Sequence, residues 1–195
     1  MRIAAIIRQK LLIRNLVLAA GIFFVSLAVG MHFGQGIAEE LIGLFGGIPG
    51  SFAPTGGISI VLFLILFANN AVKALGLIFL GILLGVPSVF FIGLNGFIVG
   101  GFASVLESAN GWRYVAASLV PHGVIEIPVI LLAAALGLTL GMESLKWLLR
   151  RESRVKSQIA DSLKIYLRLF LPGLAVAAVI EVFVTPLLMG LVNVG

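Results

Sequence analysis

Between Asn15 and Phe33 the chain reads NLVLAAGIFFVSLAVGMHF, nineteen residues without Asp, Glu, Lys or Arg. A helix of that length is about 28 Å long, close to the ~30 Å hydrocarbon thickness of a bilayer. Further long apolar runs follow at 58–85, 88–106, 114–141 and 169–192. A water-soluble core of 195 residues cannot enclose that much apolar surface. The composition agrees, with a mean hydropathy of +1.20 and 11% charged residues, where soluble domains carry about 25%. The expected fold is therefore all-α: a polytopic transmembrane helical bundle of about five spans, with residues 1–195 forming one integral membrane domain. The first run is longer than the apolar region of a secretory signal and reads as an uncleaved anchor.

The net charge of +5 does not point to nucleic acid, because its distribution follows the membrane. Arg2, Arg8, Lys10 and Arg14 precede the first run. Lys146, Arg150, Arg151, Arg154, Lys156, Lys164 and Arg168 crowd the segment 142–168, and only Lys73 and Arg113 lie elsewhere. Basic segments of this kind stay in the cytoplasm, so an even number of spans must separate the two. Four spans fit, giving a cytoplasmic N-terminus, a cytoplasmic basic loop at 142–168 and a multi-pass protein of the cell membrane. Splitting 58–85 into two spans would put seven cations on the wrong side. Trp112, Tyr114, Trp147 and Tyr166 flank span ends, where amphipathic rings settle. Residues 34–57 read as an extracytoplasmic loop carrying a short amphipathic segment at 38–45. Val155, Ile159, Leu163 and Tyr166 have helical spacing, which predicts a helix lying on the surface or projecting from the last span. With no cysteine, disulfides and thiolate metal sites are excluded.

The informative residues are the polar ones at membrane depth. Asn69, Asn70, Lys73, Asn95, His122, Glu126 and Glu181 fall near one layer when depth is counted at about 1.5 Å per residue from the span ends. Lys73, Glu126 and Glu181, ionised and unpaired in lipid, would together cost roughly 8–10 kcal/mol. They should turn inward and pair with one another, with the asparagines or with water. His122 and Glu126 are four apart and share a helix face. Pro121 suits a first helical turn, so the fourth span is predicted to break there, with His122 near the start of a half-helix. His122, Glu126 and Glu181, with His32 if it reaches inward, are also the candidate ligands for a divalent metal such as zinc. Gly81/Gly85, Gly96/Gly100 and Gly137/Gly141 are small-xxx-small pairs that let helices approach closely. They serve either packing within the chain or self-association into a homo-oligomer.

Three strings carry a resemblance: FANNAVKAL at 67–75, GLNGFIVG at 93–100 and PHGVIEIPVILLAAALGLTLG at 121–141. In this order they resemble the stage II sporulation protein M family, over most of residues 15–192. The matching positions are Asn69, Asn70, Asn95, Gly96, Pro121, His122, Gly123, Glu126 and Pro128. The resemblance implies a polytopic helical membrane protein. In spore formers the namesake anchors cell-wall-degrading partners and is not regarded as a hydrolase, and related chains occur in prokaryotes that never sporulate. Three functions stay open at this point. One is a non-catalytic scaffold for other membrane or envelope proteins. The second is a small transporter or channel using Glu126 and Glu181 as a proton or cation site. The third is an intramembrane metalloenzyme with His and Glu ligands. Membrane lipid is a partner in all three.

Overall fold

The computed structural model describes residues 2–44 and 57–193, and every regular element among them is helical. The elements are α1 (Arg2–Phe33), α2 (Gln35–Leu44), α3 (Gly57–Phe79), α4 (Val86–Asn110), α5 (Trp112–Leu148), α6 (Val155–Ile165), α7 (Leu171–Val179) and α8 (Thr185–Asn193). Two π turns, Tyr166–Phe170 and Ile180–Val184, join α6, α7 and α8 into one rod. Five helices are long and apolar enough to cross a membrane: Gln9–Phe33, Ile60–Ile82, Val86–Asn110, Trp112–Leu148 and Val155–Val192. Their exposed faces carry Val17, Val25, Leu64, Ile65, Val124, Leu187 and Leu191, which suits acyl chains as solvent.

Lipid is as apolar as leucine, so burial alone does not drive these helices together. Close packing and internal hydrogen bonds must do it. The glycine pairs are where the packing is closest. A Cβ on Gly137 would collide with the carbonyl oxygen of Leu77 and with Ser88 Oγ, and one on Gly81 would strike the backbone of Gly137. Gly141 meets the backbone of Leu84 and Gly85 in the same way. Thus Gly81/Gly85, in the turn just past α3, interlocks with Gly137/Gly141 on α5. A second seam joins α1 to α4, where a Cβ on Gly30 would run into Phe97, on Gly96 into Phe23 and on Gly100 into Leu27. All three pairs are used within the chain. Ser88 Oγ stitches the first seam further by donating to Leu77 O at 2.7 Å.

Asn15, buried at the start of the first apolar run, donates to Thr139 Oγ1 at 3.0 Å, tying α1 to α5. Next to it Arg14 Nη2 reaches Met142 Sδ at 3.0 Å. The N-terminal basic segment and the basic loop therefore sit at the same end of the bundle, as charge parity required. That loop is organised by Glu143, itself buried, which accepts from Lys146 Nζ at 2.6 Å and from the backbone N–H of Arg154 at 2.7 Å.

Several expectations need correction. No break occurs at Pro121: α5 runs through both Pro121 and Pro128. In a membrane helix, neighbouring groups and local adjustment can satisfy the carbonyls a proline frees. Departures from α-geometry fall instead in a 3-10 turn at Leu80–Ile82 and in the two π turns of the last span. Trp112 and Trp147 are exposed, but Tyr114 and Tyr166 belong to the core. Tyr166 donates to Ala71 O at 3.1 Å and so links the last span to α3. The amphipathic segment expected at 38–45 is α2, Gln35–Leu44; position 45 lies outside the described residues. Of the two arrangements expected for the basic-loop helix, lying on the surface or projecting from the last span, the structure has the second.

Candidate functional site

α5 presents His122 and Glu126 one turn apart, about 15 and 21 Å along the helix from Trp112 at 1.5 Å per residue. The last span presents Glu181 from inside its second π turn. A π turn adds a residue to a helical turn and re-aims the side chains around it, which is why such turns gather at functional sites. The result is convergence. One nitrogen of His122 and one carboxylate oxygen each from Glu126 and Glu181 all lie within 4.8 Å of one another. From α3, Lys73 Nζ approaches Glu126 Oε1 at 3.8 Å. Three membrane-spanning segments thus deliver four ionisable groups to one place. All four residues are half-buried.

His122 Nδ1 is fully enclosed and has no hydrogen-bond partner. An enclosed ring nitrogen without a partner costs about 1–3 kcal/mol, unless something occupies the space it faces. Thr185, four residues beyond Glu181 and 2% exposed, has a buried hydroxyl in the same condition. The donor set is one imidazole and two carboxylates, which suits a divalent transition ion such as zinc. Ligands around a tetrahedral zinc ion, at about 2.0–2.2 Å from it, sit roughly 3.4 Å apart. The set needs closure of about 1.4 Å from its widest separation, within the reach of side-chain rotation. On charge, two ionised carboxylates would match one divalent cation, leaving the Lys73 ammonium as the excess charge of the group.

The other expected residues are not among the three converging ligands. His32 is exposed at the end of α1 with its ring against Phe33, centroids 4.4 Å apart, and is not one of the converging ligands. Asn70 is buried on α3. Asn69 and Asn95 line a cavity of about 310 Å³ between α3 and α4, together with Lys73 and, from α5, Ile130. Lys73 thus borders this cavity while its ammonium reaches toward Glu126. Asn15, Thr139 and Glu143 were not singled out from the sequence. Asn15 sits at a span boundary, where a polar residue needs no partner. Glu143 sits in a basic loop, and only its i,i+3 spacing to Lys146 hinted at a pair.

The family model described as stage II sporulation protein M matches residues 16–186. The chain belongs to this family. That match contains every converging residue, from Lys73 through His122 and Glu126 to Glu181. No curated protein and no solved structure matches the chain.

Proposed function

We propose that this stage II sporulation protein M family member is a membrane-embedded anchor for other membrane or envelope proteins. Its last two spans are fastened to each other by a divalent metal ion held by His122, Glu126 and Glu181. The observation that carries this reading is the convergence of those three ligand atoms within 4.8 Å from two different spans. An ion there would cross-link α5 to the rod that ends in α8, its charge matched by the two carboxylates. The family supports the anchoring half of the reading, and the basic end would face the cytoplasm by the positive-inside rule.

The test is purification of the tagged full chain from native membranes under mild detergent, beside a His122→Ala/Glu126→Gln/Glu181→Gln variant. The wild type should retain a defined membrane or envelope partner, and the triple variant should lose it. Consistently partner-free wild type would remove the anchoring role. Equal retention by the triple variant would remove the role of the centre.

A second reading rests on the ligand count. Structural zinc sites use four protein ligands, whereas catalytic ones use three and leave a position for water or substrate. Among the described residues three ligands converge here, as an intramembrane metalloenzyme or a cation-conducting site would need. Proteoliposome flux abolished by Glu126→Gln would favour conduction, and normal flux in that variant would eliminate the glutamate's role in it.

A further inference from the structure

At the basic end of the bundle lies a second cavity, of about 730 Å³, far along α5 from the polar centre. Its walls divide by chemistry. Ile82 and Leu84 from the turn after α3, with Trp147 and Leu148 from the last turn of α5, make an apolar side. Arg154 and Lys156, with Ser153 and Ser157 beside them, make a cationic and hydroxylic side at the start of α6. The nearest buried carboxylate, Glu143, is already engaged by Lys146 and by the Arg154 backbone. The two cationic side chains are exposed. The cavity opens at the level where the apolar helices give way to the arginine- and lysine-rich loop, which is headgroup depth for a lipid.

We infer that this cavity binds one anionic phospholipid, its phosphate against Arg154 and Lys156 and its acyl chains along Ile82, Leu84 and Trp147. Charge complementarity selects the headgroup. The apolar wall selects an amphiphile over a free anion, since inorganic phosphate would leave Trp147, 70% exposed, without a partner. Basic pockets between membrane helices hold anionic headgroups in this manner, and the volume falls in the ~300–1,000 Å³ range of ligand sites. The inference is independent of the polar centre, because it uses none of its residues.

Trp147 provides the readout. Trp112, at the opposite end of the bundle, is replaced by Phe so that Trp147 is the only indole left. The full chain is then reconstituted in phosphatidylcholine vesicles containing equal mole fractions of brominated phosphatidylglycerol or brominated phosphatidylcholine. The brominated anionic lipid should quench Trp147 more strongly. Removing each cation, as Lys156→Gln and as Arg154→Gln/Lys156→Gln, should lower that preference about fivefold per charge. Lys156→Gln alone changes an exposed side chain and keeps the test valid if the double variant does not fold. Equal quenching by the two brominated lipids in the parent protein would overturn the inference. Unchanged preference in Lys156→Gln would overturn it for this cavity. Loss of the preference on adding inorganic phosphate, but not chloride at the same ionic strength, would show that the cavity selects the free anion and not the lipid.

Discussion

Gly137→Ala adds a single methyl group where α5 crosses the end of α3. The new Cβ would collide with Leu77 O and Ser88 Oγ, and would stand 3.1 Å from the Leu77 carbonyl carbon. Two of those three atoms are backbone, so rotation of Ser88 alone cannot relieve the clash; the helices must separate. Overpacking a tight contact costs about 1–3 kcal/mol. Separation would also stretch the Ser88–Leu77 hydrogen bond, now 2.7 Å, at about 0.5–1.5 kcal/mol. The expected destabilisation is therefore roughly 1.5–4.5 kcal/mol, the sum of those two effects. Gly21→Ala on α1 is the control: nothing lies within 4 Å of its Cβ, and alanine is the better helix former by about 1 kcal/mol. Both variants should be unfolded in the same detergent, with the midpoint followed by circular dichroism or by the release of a tethered trap. Gly137→Ala should unfold well below the parent, and Gly21→Ala at or slightly above it. If the two variants unfold together, the interlocked glycines are not what holds α3 against α5.

The buried Asn15–Thr139 bond should show a coupling of about 0.5–1.5 kcal/mol in a double-mutant cycle of Asn15→Leu and Thr139→Val; additive effects would mean that the bond contributes nothing. Glu143→Gln keeps the shape but weakens the charge-assisted bonds from Arg154 N–H and Lys146 Nζ, each worth about 1.5–3 kcal/mol. Trypsin should then cut faster at Arg150 and Arg151 than in the parent, and an unchanged rate would show that Glu143 does not hold the loop. Tyr166→Phe removes the donor to Ala71 O and should cost about 1 kcal/mol of stability, read from the same detergent unfolding curve.

Much of this architecture was legible because membrane thickness converts run length directly into spans. Charge parity went further, since Arg14 beside Met142 requires the two basic segments to share an end. Spacing also put His122 and Glu126 on one face, and the glycine pairs marked the seams. What could not be read was direction. Aromatic residues near span ends report depth, but nothing local distinguishes Trp147, which faces outward, from Tyr166, which turns in to bond Ala71 O. Pro121 looked like a helix start because proline in a soluble helix would be one, whereas α5 carries it mid-span. The π turn around Glu181 ends two residues before Pro186, as the turn at Tyr166–Phe170 does before Pro172, and a proline's missing N–H frees a carbonyl in the preceding turn. The depth of Glu181 follows from its place in the last apolar run, yet its meeting with His122 and Glu126 depends on how the last span rotates against α5.

We propose that His122, Glu126 and Glu181 hold one divalent ion inside the bundle. Elemental analysis of the full chain, purified without chelators, loaded with zinc and desalted, tests it most directly. The loaded parent protein should hold close to one metal ion per chain, falling to background in Glu181→Gln and in His122→Ala while His32→Ala is unaffected. Background metal in the loaded parent protein, or full occupancy in Glu181→Gln, would contradict it.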